Sequence, residues 1–298
     1  MALQREIWIA DIQEILFAQN EFVMSSTDDS GYIGNKTVHI PQSGVATGVV
    51  VNRSTLPAAL TQRTDTELTY NVDQYTTDPF LVTRLDEAQL SYNKRASLMG
   101  LQVAALSDLL ALNTAFAWGG VVASCIIRTS GAGDQTALAP GATGNRNAIT
   151  LADIRAAAKK LDQDFVPSVG RKLLMPVDMY YQLFNDSTVV SSFNMGTVTL
   201  PTGVVRYLYG FEIMIRPRVL IYAAGAPPTR KAPTALSALT DCQACIAWHP
   251  SFVSRAQGAI NVFSQSGDNG QGDPSYFGTI MSCEAQKVSL LTLLFDVQ

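Results

Sequence analysis

The run from Leu85 to Trp118 contains no proline and one interior glycine, Gly100, and it constrains the fold more than any other part of the chain. Its residues are mostly good helix formers, and its apolar side chains fall in two adjacent stripes. Leu98, Leu101, Ala105, Leu109, Leu112 and Phe116 make one stripe, and Met99, Val103, Leu106 and Leu110 make the other. The spacing predicts one helix of about 30 residues, a rod of roughly 45 Å. So wide an apolar face predicts contact on more than one side. Asp86, Glu87, Lys94 and Arg95 keep the first half wetter, and the two acids suit the positive end of the helix dipole.

A helix this apolar raises the question of a membrane. The stretch from Leu98 to Ile127 is interrupted by Gln102, Asp108 and Asn113 and broken at Gly119 and Gly120, before any clean span of about 20 residues develops. An aspartate at the centre of a bilayer costs about 2.5 to 3.5 kcal/mol on insertion scales. No membrane span is expected. The N-terminal residues have acids at Asp11 and Glu14 and lack an apolar core of the signal-peptide type. The chain is therefore expected to be made and used in a cytoplasm.

Composition sharpens this. Hydrophobic residues are 47% of the 298, enough for a sizeable core. Lys plus Arg number 21 and Asp plus Glu 25, only 15% of the chain, where about 25% is usual for soluble domains. Mean hydropathy is +0.13. A monomer relies on surface charge to stay solvated and apart from its neighbours. A chain that replaces charge with Ser, Thr, Asn, Gln and Ala reads as a subunit covered by copies of itself. The net charge of -4 and pI near 5.2 leave no general basic footprint for nucleic acid.

Around the long helix the elements fall in a definite order. Leu3 to Val23 has the spacing of a short amphipathic helix and ends in the turn-rich Ser25–Gly31. Lys36 to about Phe80 switches to period two. Val38 and Ile40 share one face before Pro41, Val49–Val51 form a second short β segment, and Leu68, Tyr70 and Val72 alternate with Glu67, Thr69, Asn71 and Asp73. This β excursion has little apolar material to fold onto, and an isolated hairpin is marginal in water. It therefore leans on another chain, or on a sheet of its own subunit. Ser130 to Ala148 reads as a loop. Thr150 and Asp153 carry the spacing of a capping box ahead of a helix bearing Ile154, Ala157, Ala158 and Leu161. Arg171–Met175 reads as a strand, Pro176 as the first turn of a short helix through Phe184, and Tyr207–Arg216 and Val219–Tyr222 as strands. Ala224 to Thr240 is a connection, and Ala244 to Val297 holds several strands around a turn at Ser266–Asp273.

No catalytic constellation is legible. The two histidines, His39 and His249, fall on the polar side of a strand and just before Pro250. Neither has a Gly-x-Ser-x-Gly elbow nearby, and no HExxH or calcium-loop pattern occurs. Cys242 and Cys245 form a lone CxxC without a second pair of ligands at zinc-finger spacing. They read as reduced, half-buried cysteines in a strand. No enzymatic activity, cofactor or metal is expected.

Several local runs, taken in order, resemble the major capsid protein of tailed bacteriophages, which has the Hong Kong 97-like fold. Val72–Tyr75, Thr83 and Asp86–Tyr92 are similar to the run into that family's spine helix. Ile149–Ile154, Leu161, Asp162, Val166, Pro167, Gly170–Pro176 and Tyr180 are similar to the start of its axial domain. Trp248–Pro250, Val253 and Ala256 resemble its late strand. The resemblance implies an α+β fold with an N-terminal arm at 1–33 and an extended β-hairpin loop at 34–80. It also implies a peripheral domain with the spine helix at 81–129 and 251–298, and an axial domain at 130–250. It implies self-assembly into hexamers and pentamers of an icosahedral phage head around double-stranded DNA, contacted non-specifically as by a wall. Arg53, Leu56, Pro57, Arg63, Glu67, Tyr70 and Asp73 are then the expected inter-subunit contacts. The short arm implies a separate scaffolding protein, beside a portal and cement proteins, and location in the virion capsid. An encapsulin-like nanocompartment and a tail or connector protein are the alternatives.

Overall fold

The computed structural model describes residues 20–34, 36–44, 49–54, 57, 63–83, 94–119, 123–134, 138–185, 206–225, 227–258, 261–268, 274–287 and 293–296. In chain order the first half contains α1 (Glu21–Met24), β1 (Thr27–Asp28), β2 (Ile33–Gly34), β3 (Thr37–Gln42), β4 (Thr66–Asn71), β5 (Asp73–Thr76), β6 (Phe80–Thr83), α2 (Lys94–Trp118) and β7 (Ile126–Arg128). Next come β8 (Gly133–Asp134), β9 (Arg146–Asn147), α3 (Leu151–Gln163), β10 (Arg171–Pro176) and α4 (Val177–Gln182). The remaining strands are β11 (Tyr207–Leu208), β12 (Phe211–Arg216), β13 (Leu220–Ala223), β14 (Thr229–Arg230), β15 (Cys242–Trp248), β16 (Ser254–Gln257), β17 (Asn261–Asp268), β18 (Pro274–Lys287) and β19 (Leu293–Asp296).

The larger sheet has eight strands, bonded in the order β11-β12-β10-β15-β13-β14, with β19 joined to β15 and to β7. β10 and β12 run parallel, from Arg171 opposite Phe211 to Pro176 opposite Arg216. β10 pairs with the C-terminal part of β15, and β13 with its N-terminal part, where Leu220 lies opposite Ala244. All seven residues of β15 are buried, which is why that segment reads as a nearly continuous apolar run and not as an alternation. Cys242 and Cys245 are both buried, and neither is in a disulfide. Three residues apart on a strand, they leave opposite faces and cannot meet.

Helices supply the rest of the main core. Ile154, Ala157 and Leu161 of α3 and Met179 of α4 pack with Ala111, Ala115 and Trp118 of α2 in one cluster with β10 and β15. Phe22 closes it, with its ring 5.9 Å from Trp118 and 6.4 Å from Trp248, both edge-on. The Trp248 indole N–H donates to Ser25 O at 2.9 Å, so the chain just after α1 is tied to the end of β15. The capping box appears as its spacing predicts. The Thr150 amide donates to Asp153 Oδ2 at 2.8 Å, and the Ser130 hydroxyl donates to Asp153 Oδ1 at 2.7 Å.

The second sheet runs β1-β16-β18-β17, with β5 and β6 also bonded to β18, and a three-stranded sheet β2-β3-β4 lies beside it. Val38 is fully buried against Ala256, with Ile33, Ile40, Tyr70 and Val72 around them. The root of the β excursion thus folds onto its own subunit.

Three expectations change in detail. Val49–Val51 form no strand and have no ladder partner among the described residues; the stretch passes into a turn at Val51 and Asn52. The loops at 130–148 and 224–240 contain the small β8-β9 pair and β14. Of the two stripes on α2, the one with Val103, Leu106 and Leu110 is buried, while Leu101 of the other is 66% exposed. Periodicity places residues on a face but does not say which face meets the core. Gly100–Trp118 is long and apolar enough to cross a membrane by composition, but its buried stripe lies within the protein. The predicted helix at Leu3–Val23 lies outside the described residues except for α1, as do residues 85–93 of the long helix.

Candidate functional site

The hairpin of β3 and β4 is the feature that projects. Its register runs from Thr37 opposite Asn71 to Gln42 opposite Thr66. At the root, a strap of residues 27–32 is wedged between hairpin and sheet. Thr27 and Asp28 pair with Ser254 and Arg255, the Asp29 amide donates to Arg255 O at 2.7 Å, and the Gln257 amide donates to Ser30 Oγ at 2.9 Å. The Tyr70 hydroxyl reaches from β4 to donate to Asp29 Oδ2 at 3.2 Å. Burial raises the Tyr70 phenol well above its ordinary pKa, and the Asp29 charge adds to this. Asp29 is itself buried, so strap and hairpin satisfy each other's polar groups.

Away from the root the hairpin is wet. Arg63 Nε lies 2.6 Å from Asp65 Oδ1, and the Gly44 amide donates to the same oxygen at 2.9 Å. The Arg63 hydrogen bond, then the Gly44 amide, hold the Asp65 carboxyl below its usual range. His39 pairs with Glu67 across the strands. Val49 is 95% exposed and Val51 82%, and Arg53 and Pro57 are exposed beside them. Three exposed valines in a row are an unfinished surface among the described residues.

The expected contact residues therefore divide. Arg53, Pro57, Arg63, Glu67 and Asp73 all lie exposed. Tyr70 turns back to Asp29 and serves the root. Leu56 lies outside the described residues. The strap's role was not legible, because Asp28 and Asp29 read as an acidic turn and their partners on β16 are more than 220 residues away. Arg171 was also missed. Its guanidinium is 2% exposed and donates to Pro167 O at 2.8 Å, Val166 O at 2.6 Å, Ala158 O at 3.3 Å and Asp162 Oδ1 at 2.6 Å. It locks the loop after α3. The sequence signal for that loop is Pro167, four residues past the end of the helix.

Nothing here assembles reactive chemistry among the described residues. His249 accepts the Ser251 amide at Nδ1, and its Nε2 lies 3.1 Å from Val169 O. His39 is spent on Glu67, and no group of three His, Cys, Asp or Glu side chains is placed to hold a metal.

Comparison with solved structures gives the fold its class. The chain superposes on the capsid structure of cyanophage P-SCSP1u with a TM-score of 0.64 at 16% identity, over 91% of this chain and 86% of that one. On Mycobacterium phage Che8 the TM-score is 0.58 at 16% identity, over 93% and 87%. A virus-like particle from Pyrococcus furiosus matches at 0.52 and 9% identity, over 98% and 99%. No protein-family model matches the sequence. No curated protein matches it either. The chain has the Hong Kong 97-like fold of phage capsid proteins, kept at identities where sequence alone carries little signal.

Proposed function

We propose that this chain is the shell-building subunit of a tailed-phage head, assembling through many copies into hexamers and pentamers around double-stranded DNA. The observation that carries the reading is the capsid fold over more than nine-tenths of the chain, joined to a hairpin that leaves Val49, Val50 and Val51 exposed. On this reading residues 34–80 are the extended loop, α2 and the sheet around β18 belong to the peripheral domain, and 130–250 form the axial domain. Arg53, Leu56, Pro57, Arg63, Glu67 and Asp73 meet a neighbour, while Tyr70 sets the angle of the arm. The role is structural and not enzymatic. A separate scaffolding protein, a portal and cement proteins are its expected partners, DNA is enclosed without sequence readout, and the assembled product is the virion capsid.

The virus-like particle from Pyrococcus furiosus, matched over 99% of its length, supports a second reading, a shell around protein cargo. Electron microscopy of the protein, expressed alone and with its neighbouring genes, tests both. Closed shells containing DNA support the phage head, and shells containing a protein support the nanocompartment. A monomer under every condition refutes the shell role.

A further inference from the structure

Strand β17 ends the path of the second sheet, with β18 bonded along one side and no strand on the other among the described residues. A strand in that position presents a row of backbone N–H and C=O groups to whatever comes beside it. Proteins blunt such an edge by keeping it short, charging it, or inserting a proline or a bulge. The strands at the other ends of the two larger sheets, β1, β11 and β14, are two residues long. β17 has none of these protections. It runs eight residues, in unbroken register against β18 from Asn261 opposite Met281 to Asp268 opposite Pro274. Its first seven residues, Asn-Val-Phe-Ser-Gln-Ser-Gly, contain no charge and no proline, and its single charged residue, Asp268, stands at the end.

The pattern of β17 also says which strand completes it. The uncharged stretch Asn261–Gly267 is centred on Ser264. A second β17 laid antiparallel about that residue sets Ser264 opposite Ser264, Phe263 opposite Gln265, Val262 opposite Ser266 and Asn261 opposite Gly267. Every opposed pair is an even number of residues apart, as a two-fold axis normal to the sheet requires, so opposed residues share a face. The two Asp268 residues fall at opposite ends of the ladder, roughly 27 Å apart. A parallel pairing in register would instead set them side by side, where like charges repel. The antiparallel arrangement uses both open edges at once and so stops at two copies.

We propose that β17 pairs with β17 of a second copy about a two-fold axis at Ser264, making one continuous sheet across two subunits. Backbone hydrogen bonds supply the affinity, as in other cases of strand addition. The inference rests on the shell reading for its place in the assembly. Rings of five or six are built by rotation within the ring, whereas a two-fold contact joins a subunit of one ring to a subunit of the next.

Ser264→Cys tests the axis directly. Opposed residues of an antiparallel pair have Cα atoms about 4.5 or 5.5 Å apart, within the range that a disulfide spans. Oxidising assembled Ser264→Cys particles should give covalent dimers on a denaturing gel, where wild type stays monomeric. Ser266→Cys should give none, because each copy of that residue lies opposite Val262 and four residues from its own twin. Ser264→Lys and Ser264→Glu each set like charges face to face, so each alone should need roughly tenfold more protein to form shells. Mixing the two variants should recover most of the yield, which a folding defect would not allow. Shells in which Ser264→Cys fails to cross-link, or Lys and Glu variants that both assemble as wild type does, overturn the pairing and leave the shell reading standing. Covalent dimers from a chain that forms neither rings nor shells uphold the pairing and overturn the shell reading.

Discussion

Arg171 gives the most quantitative test of how the loop between α3 and β10 is held. Its guanidinium is almost fully buried beneath the end of α3 and serves three carbonyls and one carboxylate. Arg171→Met keeps most of the apolar stem and removes every donor. Val166 O is then left buried and unpaired, at a cost of about 1 to 3 kcal/mol, and the partly wet carbonyls of Pro167 and Ala158 lose about 1 kcal/mol each. Asp162 is 62% exposed, and water replaces most of what the ion pair gave it. The sum is about 3 to 5 kcal/mol. In a chain of this size that lowers Tm by on the order of 10 °C. The assay is thermal unfolding of the unassembled subunit at low concentration, followed by near-UV circular dichroism. Arg171→Lys should recover only a minor part, because one ammonium cannot reproduce a planar fork reaching several acceptors. An Arg171→Met subunit melting within about 2 °C of wild type, or a lysine variant equal to wild type, would refute the reasoning.

Three further outcomes follow from the same structure. Leu106, 4% exposed on the buried stripe of α2, should not tolerate Leu106→Asp, which buries an unpaired charge; a soluble, cooperatively melting variant would count against the assigned core. The double reversal Arg63→Glu with Glu67→Arg touches only exposed hairpin pairs, so the subunit should fold normally and assemble poorly, and a wild-type particle yield by sedimentation would sink the contact assignment. The Asp28 carboxyl is held below 3.8, first by the Ser30 hydroxyl. Its contribution to the strap is present above that pH and lost as pH falls through the lower folded value. Amide exchange at Ser30 should accelerate on acidification in the wild type, and an Asp28→Asn chain should not show that step.

Much of this architecture was legible because it is local. Periodicity located the long helix through to its end at Trp118, period two located β3 and β4, and the Thr150–Asp153 spacing located the start of α3. These signals come from backbone geometry repeating over one or two turns, which a single sequence records directly. The order of those elements was enough to suggest the capsid fold.

What the sequence did not hold is what depends on distant partners. It could not say that Val103, Leu106 and Leu110 of α2 are buried while Leu101 is exposed, because both stripes have helical spacing. Nor did it show that Tyr70 turns inward to a buried Asp29, which depends on a strap pairing with β16 more than 220 residues away. Phe165, in a glycine's position after α3 with φ of 58°, looks in sequence like an ordinary apolar residue. Only the folded chain shows it strained and 93% exposed, on the loop that Arg171 fixes. The sequence by itself determined the elements and their order, since these follow from nearest-neighbour sterics and amphipathic spacing. The tertiary structure decided which faces are buried and which remain exposed, because burial is a property of the whole packed chain.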